Sequence, residues 1–218
     1  MINQQVTLLI EDLRSQSLPT RLSAFRKIHI IAQALGVART RTELIPYLGE
    51  FCDDDDEVLL ILSSILGDMV DAVGGSDHAH VLLVPLEQLV ASEETAVREK
   101  AVASIGKIAD QVTEKVILES VVPLVERCAH ADWFTSRISA ASLITIVYPR
   151  VPSSAEQVQT SLRQLYGNLC TTEETPMVKR AAAANLGVRH NTIARIHGMA
   201  TRIGVCVSVC SLFFSLLP

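Results

Sequence analysis

A repeating register constrains this chain more than any single motif. Arg98, in the stretch TAVREKAVASIGKIAD, has counterparts at Arg21, Leu59, Arg137 and Lys179, and successive anchors lie 38, 39, 39 and 42 residues apart. Three residues past each anchor come Ala24, Leu62, Ala101, Ala140 and Ala182. Seven past come Ile28, Leu66, Ile105, Ile144 and Leu186, and eleven past come Ala32, Val70, Ala109 and Tyr148. Offsets of three, seven and eleven trace one face of an α-helix. A second helix is expected ahead of each of three anchors, where Pro46, Pro85 and Pro123 recur 13, 13 and 14 residues upstream. Proline removes a backbone donor and crowds the preceding turn, so each should kink or open its helix.

Gly36, the pair Gly74-Gly75, and Pro149 with Pro152 close the units. Each unit therefore reads as helix, short turn, helix, at the length of a HEAT-type repeat. Such a pair cannot bury its apolar face alone, so the expected fold is all-α, an α-solenoid of about four and a half stacked pairs. The expected repeats run over 1–38, 39–77, 78–115, 116–153 and 154–187, followed by a different tail over 188–218. Composition agrees: 49% of residues are hydrophobic but only 4% aromatic, which suits closely packed helices better than a β-sandwich.

Acidic residues sit just ahead of the later anchors, as Asp53 to Glu57, Glu93-Glu94, Asp132 and Glu173-Glu174. There they are expected to open the second helix of each pair, accepting its free N–H groups and opposing its dipole. A calcium loop needs alternating oxygen ligands and a central glycine, and DDDDEVLL has neither. Asp77, His78 and His80 could suggest a metal, but positions two apart diverge on a helix, so a solvated helix start is expected. No glycine-rich phosphate loop and no G-x-S-x-G elbow occurs. The Ser and Cys residues fall inside the repeats with no His or Asp placed to activate them. No enzyme activity, cofactor or metal is expected. The net charge of −5 argues against nucleic acid as the main partner.

The phrases DWFTSR, YPRV, NLC followed by TPMVKRAAA, EVLL and ALGVARTRTELIPYL together resemble the scaffold (A, or PR65) family of protein phosphatase 2A subunits, over about residues 5 to 187. The resemblance implies a longer superhelix of HEAT repeats, of which this chain carries the first four and most of a fifth. It also implies that N-terminal and middle repeats hold exchangeable regulatory B subunits through the ridge of turns within each repeat. The last repeats hold the catalytic subunit, so direct binding of the catalytic subunit is not expected here. On this chain the implied ridge contacts are Glu57, Glu94, Trp133, Phe134, Glu174, Pro176, Met177, Lys179 and Arg180.

The residues alone leave two roles open for Trp133, an interface anchor or a packing group against the next repeat. The cations Arg98, Arg137 and Lys179 share one register and are expected to pair with acids of the neighbouring turn, forming a ladder, whereas Arg180 lies one position off and should face outward. A HEAT adaptor for other protein cargo is the alternative reading, as is a truncated product without function.

Five cysteines without a C-x-x-C, and no signal peptide, point to a reducing cytosol or nucleus. After Gly187 the pattern breaks, with His190 where a small or apolar residue is due, so the fifth pair is expected to lack a cap. The stretch from Ile203 to Pro218 carries no charge yet is short for a membrane span. Ser, Leu, Phe and Pro have pyrimidine-only codons and Val188 a GT codon, so residues 188–218 read as a translated retained intron.

Overall fold

The computed structural model describes residues 4 to 188. Apart from Val188, the tail and its break at His190 lie outside the described residues. Among the described residues the regular structure is entirely helical. The chain divides into two compact units, one up to Leu124 and one from Val125 onward.

In the first unit, α1 (Gln4–Asp12) is followed by α2 (Leu18–Phe25) and α3 (Ile28–Arg39). Then come α4 (Ile45–Gly49), α5 (Asp56–Gly67), α6 (Leu83–Leu89), α7 (Thr95–Ala109) and the single turn α8 (Glu114–Val116). The helices that carry the anchors stack on one another, α2 on α5 and α5 on α7, while α4 packs on α6 in the other layer. The anchor offsets point inward as expected: Ala24, Ile28, Leu62, Leu66, Ala101 and Ile105 are fully or almost fully buried. At α5 and α7 the backbones approach so closely that a Cβ added to Gly67 would lie 2.7 Å from the Ser104 Cβ.

The prolines act as their chemistry requires. Thr40–Leu44 is a turn of π-helix, and it leads directly into Ile45 and Pro46 of α4. Ile117–Val121 is a second π-turn, leading into Val122 and Pro123 of α9 (Val122–His130). Ahead of Pro85 the wound segment Ala79–Leu82 is instead 3-10 helix. A proline offers no N–H to its preceding turn, so the turn rewinds to a different hydrogen-bond spacing. Gly36, at φ +76°, breaks α3 internally. Gly74, at φ +101°, closes the next pair, and a Cβ there would meet the Arg41 guanidinium at 2.9 Å. Arg41 uses that space to donate to the Val73 carbonyl at 3.2 Å.

The second unit contains most of α9, then α10 (Phe134–Val147), α11 (Glu156–Thr171) and α12 (Pro176–Val188). The three helices α10, α11 and α12 pack mutually. Two polar contacts fix α12: the Tyr166 hydroxyl donates to the Ala182 carbonyl at 2.6 Å, and the Asn185 amide donates to Ser142 Oγ at 3.0 Å. No helix among the described residues is long and apolar enough to cross a membrane.

Candidate interaction surface

The turns that join paired helices are shaped by the arginine anchors. Arg21 Nη1 donates to the Ser15 carbonyl at 2.8 Å, Arg98 Nη1 to the Ser92 carbonyl at 2.9 Å, and Arg137 Nη1 to the Ala131 carbonyl at 2.8 Å. Each acceptor lies six residues upstream of its arginine. Arg98 and Arg137 also bind the carbonyl five residues upstream, Glu93 and Asp132, both at 2.7 Å. A guanidinium thus closes the turn from inside, satisfying carbonyls that lie just past the end of the preceding helix, where no helical N–H follows to bind them.

Two of these arginines reach the following turn as well. Arg21 Nη2 pairs with Asp54 at 3.0 Å and with Asp55. Arg137 grips Glu173 with Nε at 2.9 Å and Nη2 at 3.2 Å. This pair is largely covered, with the two side chains 17% and 9% exposed. Of the three cations expected to form the ladder, Arg137 does so; Arg21 joins it unexpectedly, while Arg98 departs from the expectation and spends its bonds on its own turn, including Thr95 Oγ1 at 3.1 Å. Among the described residues no ion pair involves Lys179 or Arg180. The expectation of a ladder contact at Lys179 is not met.

The acidic residues stand where expected but do not all act as caps. Glu94 does, accepting from the Ala96 N–H at 3.2 Å at the start of α7. Glu173 accepts from the Thr175 N–H at 2.9 Å, just ahead of α12. Asp55 occupies the N-cap position of α5 yet makes no side-chain bond to that helix. Its carboxylate is turned to Arg21, whose full positive charge outcompetes the partial charges of free N–H groups. Asp56 and Glu57 then fill the first turn of α5, where they oppose the dipole. Trp133, not Asp132, is the N-cap residue of α10, and it too makes no side-chain cap. Arg137 holds the Glu173 carboxyl below its ordinary range, with the two Thr175 hydrogen bonds assisting against burial.

The expected contact residues divide by exposure. Glu57, Glu94, Glu174, Pro176, Met177 and Arg180 are exposed, whereas Phe134 and Lys179 are half-buried. Trp133 is 52% exposed, and its ring lies 6.0 Å from that of Phe134, tilted 37°. A tryptophan with half its surface in water is only partly explained as a packing group. Among the described residues from Val125 onward, Trp133 and Met177 are the exposed large hydrophobic side chains. Both stand where a turn gives way to a helix, Trp133 at the N-cap of α10 and Met177 in the first turn of α12. In the first unit the exposed large hydrophobics are Leu8, Val37, Leu60 and Val84, which lie in α1, α3, α5 and α6. Sequence reasoning missed Arg21 as a ladder member, although it sits in the anchor register, and it did not single out Glu173 among the acids of the turn that Arg137 reaches. Cys52 lies in the turn ahead of α5, and burial pushes its thiol up to about 11, so it remains protonated at neutral pH.

No family model matches the chain. Curated relatives do. A probable serine/threonine-protein phosphatase PP2A regulatory subunit from Caenorhabditis elegans is 48% identical over 182 residues, 84% of this chain and 30% of the relative. The protein phosphatase 2A scaffold subunit of Dictyostelium discoideum is 48% identical over 183 residues, 84% of this chain and 31% of its own length. This chain is a relative of the protein phosphatase 2A scaffold subunits. The alpha isoform of the 65 kDa regulatory subunit of serine/threonine-protein phosphatase 2A from Arabidopsis thaliana agrees, at 46% identity over 188 residues, 86% of this chain and 31% of the relative. The chain thus spans about 30% of the length of these relatives.

Proposed function

We propose that this chain is a non-catalytic scaffold segment that binds regulatory B subunits of protein phosphatase 2A through the turns between its paired helices. The observation that carries this reading is the placement of Trp133 and Met177. Both are large, apolar and more than half exposed, and both sit where such a turn meets a helix. Solvent-exposed apolar area gathered at turns, beside charged groups such as Glu174 and Arg180, is the composition of an interface with a hydrophobic centre and a polar rim. The proposed contacts are Glu57, Glu94, Trp133, Phe134, Glu174, Pro176, Met177, Lys179 and Arg180. In this role the turns supply shape and charge, and no chemistry is asked of them.

A binding titration of the full chain against purified B subunits tests the reading. Trp133→Ala should weaken binding by about 2 kcal/mol or more, roughly thirtyfold, if Trp133 is an anchor. Arg180→Glu should weaken it by charge reversal, with an effect that shrinks as salt rises. Glu114→Ala, on the exposed first turn of α8, is the control and should change little. Equal affinity for Trp133→Ala and the parent, with helicity unchanged, sinks the assignment.

A further inference from the structure

We propose that Arg137 and Glu173 are positioning residues that lock the turn ahead of α10 and the turn ahead of α12 into one rigid platform. Trp133 and Met177 are thereby presented to a partner at a fixed spacing. The proposal rests on the reading of these turns as a docking surface, and it adds residues that touch no partner themselves.

The geometry behind it is complete saturation of one guanidinium. Arginine has five N–H donors in a rigid planar fork. Arg137 spends two on the carbonyls of Ala131 and Asp132, at 2.8 and 2.7 Å. Two more go to the two oxygens of Glu173, from Nε at 2.9 Å and Nη2 at 3.2 Å. The fifth goes from Nη2 to Thr175 Oγ1, at 3.1 Å. Glu173 in turn accepts from the Thr175 backbone N–H at 2.9 Å, so the second turn is tied at two points. Trp133 directly follows Asp132, and Met177 is two residues beyond Thr175. Each exposed apolar residue is therefore within two residues of an atom that Arg137 holds. The arrangement contrasts with Arg98, whose bonds are made to Ser92, Glu93 and Thr95 of its own turn. Stabilising one turn needs only the Arg98 pattern. Extending the same fork to a second turn fixes the relation between the two, which matters where both carry contact residues. A partner meeting a preordered surface avoids the entropic cost of ordering it on binding.

Trp133 is the single tryptophan of the chain, so its fluorescence reports on the first turn without a label. The experiment compares Glu173→Ala and Arg137→Lys with the parent in the full chain. It reads time-resolved anisotropy and acrylamide quenching of Trp133, helicity, and affinity for a purified B subunit. Lysine keeps the charge but cannot span both turns with a fork. Both variants should show faster local motion and easier quenching of Trp133 at unchanged helicity, and affinity should fall by roughly tenfold. Glu173→Gln, which retains one acceptor oxygen, should fall between parent and Glu173→Ala, and it substitutes for that variant if the latter is less helical. Unchanged Trp133 motion overturns the proposal, because a merely stabilising pair would lower the unfolding midpoint without loosening the folded turn. Loosened Trp133 with unchanged affinity overturns it too. If the parent binds no B subunit, the docking reading fails, and the anisotropy result alone then decides whether the two turns form one rigid unit.

Discussion

Arg21 and Arg137 occupy the same register, 116 residues apart, and build the same device with different success. Both bind the carbonyl six residues upstream, and both reach acids of the following turn. Arg137 meets a glutamate whose two oxygens face its fork, so each donor finds an acceptor. Arg21 meets aspartates, Asp54 and Asp55, and both are taken by Nη2. Its Nε is buried with no partner among the described residues. One methylene less of reach leaves a carboxylate on a single nitrogen instead of astride two. The surroundings differ in the same direction. The Arg21 clamp is edged by exposed acids, and Asp55 remains 56% exposed. The Arg137 clamp lies beside exposed apolar groups. A repeated motif thus yields a turn edged by exposed acids in one unit and, in the other, a turn where exposed acids such as Glu174 stand beside exposed Trp133 and Met177.

The largest expected effect comes from removing the better clamp. Arg137→Ala strands a covered carboxylate and two carbonyls, and should destabilise the chain by about 3 kcal/mol. Arg21→Ala should cost less, about 2 kcal/mol, because Asp55 returns to water and one donor was already unpaired. Urea unfolding followed by circular dichroism measures both. Equal costs would erase the distinction between the clamps.

Next is the charge on Glu173. Glu173→Gln should cost about 2 kcal/mol at neutral pH, as the loss of a charged hydrogen-bonding partner. The folded-state carboxyl is held below its ordinary value of 4.5, chiefly by Arg137. A depressed carboxyl stabilises in full above its unfolded value, and that contribution is lost as pH falls through the folded value. The gap between parent and Glu173→Gln should therefore stay constant from neutral pH to about 5 and close below 4.5. A gap that persists into strong acid would show that the variant acts through packing instead.

Much of this was legible in the chain itself. The offsets of three, seven and eleven from each anchor identified the buried faces, because helical period alone decides which side of a helix meets its neighbour. Prolines at a fixed distance announced the rewound turns before α4 and α9. What the sequence hid was the choice each carboxylate makes. Asp55 looks like a cap by position, yet it serves Arg21, whose proximity depends on how two pairs stack. Glu94 looks the same and does cap. Position along the chain places an acid at a helix start, but only the three-dimensional neighbour determines whether a guanidinium claims it. Trp133 was ambiguous for a related reason: its exposure depends on the packing of the turn rather than on the turn's own residues.

A subtler substitution converts one clamp toward the other. Glu173→Asp keeps the charge and shortens the reach by one methylene, which should leave one Arg137 nitrogen unpaired, as at Arg21. The expected cost is about 1 kcal/mol, the net worth of one hydrogen bond. If Glu173→Asp proves neutral, side-chain length does not explain the difference between the two turns.

The smallest effect probes the acidic run at the first clamp. Glu57 is exposed in the first turn of α5 and takes part in no ion pair among the described residues. Its contribution to folding should come from the helix dipole alone, so Glu57→Gln should cost about 0.3 kcal/mol at low salt, fading as ions screen the charge. Asp54→Asn differs, because Asp54 is mostly covered and bound to Arg21. It should cost about 1 kcal/mol and resist added salt. Measuring both at two salt concentrations separates acids that support the helix from acids that support the clamp. If the two variants respond identically, the acidic stretch acts as one diffuse charge, and assigning Asp54 a separate role beneath it is wrong.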